Sequence, residues 1–351
     1  MKCLIKNINI RAITTYLPVD VLEMNSLTDI FEEKDIKLVM NASGVERVHV
    51  AKPEETASDL CFEAALHLFE KEKFNRADID GLVFVSQTPD YIAPATSVCL
   101  QDRLGLSKET VCFDISYGCS GYIYGLFQAS TLIGSGACNN VLVLAGDTTT
   151  KLINSKDRAQ RLVFGDCGSA TLVSKGQTDI GFHIGSDGSG ANTVIVPAGG
   201  FRTPSTDETR KEFVDSEGNV RSLENLYMDG TAVFTYILKR GQESIRTLLE
   251  FMNWEINNVN FFALHQATKF TLSYLRKRLG IDQSKSPTNI TNYGNTGPTT
   301  IPLVLTDTSH NESGVDTSTW SKVLMSAYGV GLSWGSIACD LSETHIYRPI
   351  N

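Results

Sequence analysis

Apolar residues alternate with polar ones from Met1 to Tyr16, so the chain opens on a strand. Further β-rich apolar runs follow at Gly81–Gln87, Val111–Ile115, Val141–Gly146 and Ser169–Ser174, and later at Asn260–Leu264, Val323–Tyr328 and Leu332–Leu341. Helix-length segments separate them. Strands alternating with helices predict an α/β protein whose sheets are covered by helices. Between the two groups of strands, Gly199–Leu226 carries a Gly-Gly pair, Pro204 and many charges with little periodicity, which reads as a surface excursion. A boundary near Lys175 divides the chain into an N-terminal half, 1–175, and a C-terminal half, 176–351. Each half has a unit in which a buried-type strand runs into a polar residue and then a helix: Val111–Gly136 in the first, Asn260–Gly280 in the second. The pair suggests a duplicated α/β unit.

At 351 residues and 42% hydrophobic content the chain can bury one large core or two fused ones. The first residues lack a continuous apolar core followed by a small-residue cleavage site, and nowhere do the roughly 18 apolar residues of a membrane span run together. The expectation is a cytoplasmic protein, neither inserted in a membrane nor exported. Eight cysteines, at 3, 61, 99, 112, 119, 138, 167 and 339, are scattered without a Cys-x-x-Cys pair, so neither a disulfide framework nor a metal site is signalled. A formal charge of -9 argues against nonspecific binding to nucleic acid or anionic membrane, and any acidic partner must meet a local basic patch.

Three polar residues stand where α/β proteins carry chemistry. Cys119 follows the strand Val111–Ile115 and starts an apolar helix, with Gly118 and Gly121 on either side. Unpaired N–H groups at a helix start favour a thiolate, and the glycines leave room for a substrate carbonyl. A packed thiol at a tight turn fits the same motif; Cys167, in Gly-Asp-Cys-Gly-Ser, is the rival nucleophile, and Cys112 reads as core. His265 ends the apolar strand of Phe261-Phe-Ala-Leu-His, at the strand end where clefts form. Asn295 lies in Tyr293-Gly-Asn-Thr-Gly-Pro, just before an apolar helix beginning near Thr299. Taken singly, a capping histidine and an asparagine in an ordinary turn account for these two as well.

Together, Gly-Cys-Ser-Gly, His-Gln-Ala and Tyr-Gly-Asn-Thr, in that order, closely resemble the β-ketoacyl-acyl-carrier-protein synthase III group of the thiolase superfamily. The resemblance spans nearly the whole chain and includes Gly44-Val-Glu-Arg, Asp157-Arg, Phe164-Gly-Asp, Ser186-Asp-Gly and Gly329-Val-Gly-Leu-Ser-Trp-Gly-Ser. It implies a thiolase-like fold, with duplicated halves forming two mixed sheets in a layered αβαβα core, and a homodimer. It also implies an acyl group carried on Cys119, backbone oxyanion donors at Cys119 and Gly331, and decarboxylation of a malonyl thioester supported by His265 and Asn295. No metal or redox cofactor enters; acyl-coenzyme A and acyl carrier protein thioesters are the substrates.

Some positions depart from the family pattern. Thr268 replaces the asparagine that commonly ends the histidine motif. Of the groups that hold the coenzyme A adenine, only Arg158 is kept; Leu38 and Ala42 occupy the other positions. Ala93 stands where two-carbon-selective members place a phenylalanine that reaches the partner subunit's acyl pocket. The resemblance therefore implies a donor longer than two carbons, delivered at least as well by a carrier protein as by coenzyme A. Helical spacing after His265 puts Leu272, Leu275 and Leu279 on a core-facing stripe and leaves Lys269, Arg276, Lys277 and Arg278 as a basic dock for an acidic carrier protein. A related acyltransferase acting on an alcohol or amine is the alternative, disfavoured by the intact His-Asn pair. An inactive structural subunit is disfavoured by Cys119.

Overall fold

The structure, a computed structural model, describes residues 1–308 and 316–351. Eight strands matter to the site: β1 (Lys2–Tyr16), β2 (Gly81–Val85), β3 (Val111–Ile115), β4 (Asn140–Asp147), β5 (Cys167–Ser186), β6 (Phe261–Leu264), β7 (Val323–Gly329) and β8 (Ser333–Cys339). The helices that cover them are α1 (Glu33–Ser43), α2 (Ala57–Glu72), α3 (Thr96–Arg103), α4 (Gly121–Gly134), α5 (Gln242–Met252), α6 (Lys269–Leu279) and α7 (Thr300–Asp307). Every apolar run expected to be a strand contains one.

In the N-terminal half β3, β2 and β4 run parallel, and β4 pairs antiparallel with the first part of β5. In the C-terminal half β6 runs parallel to β7, which turns back through β8 onto the last part of β5. The two sheets implied by the family resemblance are joined into one nine-stranded sheet. The reason is length: β1 and β5, of 15 and 20 residues, pair with each other through both halves. They pass from one half to the other at an irregularity between Lys6 and Ile8, where Asn7 takes a left-handed φ of 60°. The division near Lys175 falls inside β5 at this crossover.

Strand periodicity assigns the layers. Leu82 and Phe84 of β2, with Leu142 and Leu144 of β4, face α2 and α3; Val83, Val85, Val141 and Val143 face the opposite way, onto α4 and α7. The same central cluster takes in Val323, Met325 and Ile337 from the other half. Outside that half, α5 and α6 cover Phe262, Leu264 and Leu324, with Leu272, Leu275 and Leu279 facing inward as their spacing predicts. The sequence of layers is αβαβα. It also corrects the pairing of units read from the sequence: α4 belongs to the central layer and α6 to an outer one, so the central companion of α4 is α7.

The glycines around Cys119 serve packing. A Cβ on Gly121 would lie 2.5 Å from Val85, one on Gly125 would lie 2.8 Å from it, and one on Gly118 would overlap the Gln87 amide. They bring α4 close against β2 rather than leaving room for a substrate carbonyl. The Gly199–Leu226 excursion lies on the surface, with Phe201 and Val214 exposed, anchored where buried Arg221 pairs with Asp157 at 2.5 Å and Asp215 at 3.0 Å. Among the described residues no helix is long and apolar enough to cross a membrane.

Candidate active site

A cavity of about 810 Å³ runs from Cys119, His265 and Asn295 at its base to Leu38 and Phe270 at the surface, the last two 67% and 59% exposed. Its wall is largely apolar, with Val39, Leu152, Phe164, Met228, Val233 and Phe234 among its members.

Cys119 precedes Ser120, the N-cap of α4. Ser120 and Ser333 share a 2.6 Å hydrogen bond, and Ser333 in turn donates to the Val330 carbonyl, so the helix start is tied to the β7–β8 turn. Gly329, which ends β7, packs on the thiol: a Cβ there would lie 2.6 Å from the Cys119 Cβ and 3.2 Å from its Sγ. Burial pushes the thiol up to about 12, and the Asp147 carboxylate adds to the effect; the backbone N–H of Cys119 and the Asn295 amide pull the other way. The helix start thus acts in the expected direction and is outweighed, leaving a thiol at rest.

His265 follows β6, its N–H bonded to the Ser326 carbonyl at 2.9 Å. Its Nδ1 lies 2.6 Å from the Thr300 hydroxyl at the start of α7, which leaves Nε2 as the ring nitrogen free for the cavity. Burial lowers its pKa to about 3, so the ring is neutral. Asn295 is held by its backbone, the N–H to the Val163 carbonyl and the carbonyl to the Gly165 N–H. Gly294 before it takes φ 65°, and any side chain there would strike the Val163 carbonyl. The Asn295 Oδ1 accepts from the Gly297 N–H at 3.1 Å, so the amide nitrogen is the end turned to Cys119. One thiol and two side-chain donors, one neutral imidazole and one amide, therefore meet at the floor of an apolar tunnel.

Two family models match the chain: 3-oxoacyl-[acyl-carrier-protein (ACP)] synthase III over residues 113–188, and its C-terminal counterpart over 249–341. The β-ketoacyl-[acyl-carrier-protein] synthase III of Clostridium perfringens is 31% identical over 339 residues, covering 96% of this chain and 100% of that protein. That of Chlamydia caviae is 31% identical over 337 residues, covering 95% and 96%. The chain belongs to the 3-oxoacyl-[acyl-carrier-protein] synthase III family. It is an acyltransferase of the condensing type. A crystal structure of the 3-oxoacyl-(acyl-carrier protein) synthase from Burkholderia xenovorans LB400 superimposes with a TM-score of 0.91 at 32% identity, covering 100% of this chain and 98% of that one.

Within this synthase III chain the other candidate residues separate. Leu38, Ala42, Thr268 and Lys269 line the cavity, and Thr268 also caps α6 by accepting from the Thr271 N–H at 3.1 Å. Arg158 does not line it: its guanidinium pairs with Asp35 at 2.7 Å and donates to the Glu217 carbonyl at 2.9 Å. Gly331 lies outside the wall, which is made instead by Gly329 and Val330. Cys167 is enclosed in β5 opposite Asp147 and does not reach the cavity. Arg276, expected on the exposed face of α6, is buried, its Nη1 donating to the Ser286 carbonyl at 2.6 Å; Lys277 and Arg278 are exposed but away from the mouth lining. The buried stripe is wider than the three leucines. Ala93 sits on a loop whose Ile92 is 83% exposed, and it does not line the cavity of its own chain. Sequence reading missed Asp147, Thr300 and Gly329. For Asp147 a signal existed, a carboxylate ending an apolar run as His265 ends another; Gly329 opens a family motif, but its packing on Cys119, like the Thr300 contact, shows only in the fold.

Proposed function

We propose that Cys119 takes an acyl group from a thioester delivered by an acyl carrier protein, and that the acyl-enzyme condenses with a malonyl thioester as carbon dioxide leaves. The observation that carries this reading is the pairing of a thiol with two uncharged donors at the closed end of an apolar tunnel. His265 Nε2–H and the Asn295 amide are placed for the enolate oxygen that decarboxylation creates. The Thr300 hydroxyl lies 2.6 Å from Nδ1 and 3.2 Å from the Gly297 carbonyl; donating to the nearer Nδ1, it keeps the proton on Nε2. The cation among the described lining residues is Lys269, at the mouth, so nothing at the base holds a malonyl carboxylate by charge. For the acylation oxyanion the donors are the Cys119 N–H and one from Gly329 or Val330, in place of Gly331. Transfer to an alcohol or amine calls for a base, a part that so acidic an imidazolium fills poorly. The scheme uses no resident metal or redox group. Eight free cysteines accord with a reducing, cytoplasmic setting. Intact-mass spectrometry after incubation with acyl thioesters, then malonyl thioester, tests the whole scheme; failure to form an adduct on Cys119 with any donor overturns it.

Delivery by a carrier protein is supported by the state of the coenzyme A clamp. Leu38 and Ala42 offer no stacking group, and Arg158 is already paired. Lys269 remains at the mouth beside exposed Phe270, which packs on Phe234 with ring centroids 5.2 Å apart. Lys269→Glu raises KM for carrier-bound donor several-fold, most at low salt. Arg276→Glu acts differently, lowering the thermal midpoint because it strands a charge inside the α6–Ser286 contact. Equal effects of the two on KM alone would place both on the docking surface and refute this division.

A homodimer is supported by β3, which ends the sheet with one edge unpaired and Phe113 40% exposed. Pairing of two copies there carries the Tyr91–Pro94 loop toward the partner. With alanine at 93 the acyl pocket has space for carbons beyond acetyl, each buried methylene stabilising by about 0.8 kcal/mol, or about fourfold in affinity. Specificity constants for acetyl to octanoyl donors are expected to favour chains longer than two carbons, and Ala93→Phe to shift the preference shorter. A protein that sediments as a 38.4 kDa monomer and ignores Ala93→Phe contradicts the dimeric arrangement.

A further inference from the structure

Acylation of Cys119 leaves one proton without a destination. Cys119 is a thiol at rest, and His265 is a feeble base whose Nδ1 is engaged by Thr300. Acylation must nevertheless remove the thiol proton and supply one to the departing donor thiolate.

Asp147 is the carboxylic acid among the described lining residues. It ends β4, fully buried, at the floor of the tunnel. Its two oxygens are not equivalent. Oδ1 accepts from the Ser86 hydroxyl at 2.8 Å, the Gln87 N–H at 2.7 Å, the Thr88 N–H at 3.3 Å and the Thr88 hydroxyl at 3.2 Å. Oδ2 receives no hydrogen bond from the described residues, and it points at Gly297, where a Cβ would stand 3.1 Å away. Gly297 lines the same cavity and follows Asn295 by two residues. Four donors on one oxygen fix the carboxylate and reserve the other oxygen for a proton.

We propose that Oδ2 of Asp147 takes the Cys119 proton, through water in the tunnel floor, and returns it to the donor thiolate. This rests on acylation of Cys119 as read above. The balance is complete. The S–H bond of Cys119 breaks and its proton arrives on Oδ2; the thiolate adds to the thioester carbonyl; the carbon–sulfur bond to the donor breaks; the released thiolate takes the proton from Oδ2, leaving acyl-Cys119 and a carboxylate. The titratable groups around Asp147 are Cys119 on the α4 side, Cys61 of α2, Cys167 on β5 and His265 across the cavity, none of which is charged at rest. Burial raises the Asp147 carboxyl to about 7, against the pull of its four hydrogen bonds, which suits a group that both accepts and gives a proton near neutrality.

Asp147→Asn keeps an acceptor for the Ser86–Thr88 donors and removes the proton site. Rapid-quench mass spectrometry is expected to show acylation by an alkyl thioester slowed about 100-fold. The deficit shrinks to about tenfold with a thiophenyl ester, whose more acidic thiol departs without a proton, and carbon dioxide release from malonyl thioester on protein already acylated proceeds at the wild-type rate. An unchanged acylation rate, or the same deficit with both donors as a merely structural role predicts, overturns the proposal. Should the variant not fold, the wild-type pH profile decides: acylation rises as Asp147 ionises and levels off above neutrality, whereas a rise continuing through the alkaline range, tracking the thiol, overturns it. Wild-type protein that forms no adduct at all refutes the proposed function instead.

Discussion

Cys119→Ala abolishes the acyl adduct, whereas His265→Ala and Asn295→Ala form it and fail to condense it. The division follows from which atoms each step touches. Acylation needs the thiol and backbone donors at the start of α4 and the β7–β8 turn. Decarboxylation needs the two side-chain donors, each worth about 3 kcal/mol to a developing oxyanion, or about a hundredfold in rate. Because both donors serve one oxygen, the double variant loses less than the product of the single losses. Intact mass reads the adduct and radiolabelled carbon dioxide release reads the second step. An adduct surviving Cys119→Ala overturns the nucleophile, and full condensation by either alanine variant overturns its assigned donor role.

Gly329→Ala is expected to cut acylation about a hundredfold and to lower the thermal midpoint as well. A methyl there would stand 2.6 Å from the Cys119 Cβ, well inside contact distance, so either the thiol or the β7–β8 turn must shift. Misplacement of a reacting atom by about 1 Å costs roughly two orders of magnitude in rate. Stability falls too, because the methyl meets the Cβ and backbone N–H of Cys119 rather than the far end of a flexible side chain. Thiol titration after denaturation checks that Cys119 remains intact. Acylation at the wild-type rate would show that the nucleophile tolerates the shift and that Gly329 does not set its position.

Much of the fold and the floor of the site can be read in the sequence. Apolar runs such as Gly81–Val85 and Val141–Gly146 announce themselves because strands buried on both faces need apolar residues at successive positions. Cys119, His265 and Asn295 stand near strand ends and helix starts, where each taken singly has an ordinary reading; their motifs and order together, through the resemblance to the synthase III group, single them out. The leucine stripe of α6 follows from helical spacing alone.

What the sequence could not decide is what depends on groups far apart in the chain. Arg276 has the spacing of an exposed charge and is buried, because the Ser286 carbonyl, supplied after α6 turns back, satisfies it. Arg158 matches a family motif, yet Asp35 from α1 takes its charge. The joining of the two sheets depends on β1 reaching across β5, a pairing between residues more than 150 positions apart. Protonation is the extreme case. A helix start favours a thiolate wherever it occurs, but the burial of Cys119 and the carboxylate of Asp147 beside it exist only once β4, β7 and α4 have packed, and they reverse the balance. Periodicity and local chain geometry determined the elements, and the ordered motifs the candidate reactive residues; long-range desolvation and charge, which have no local signature, decided their ionisation and their partners.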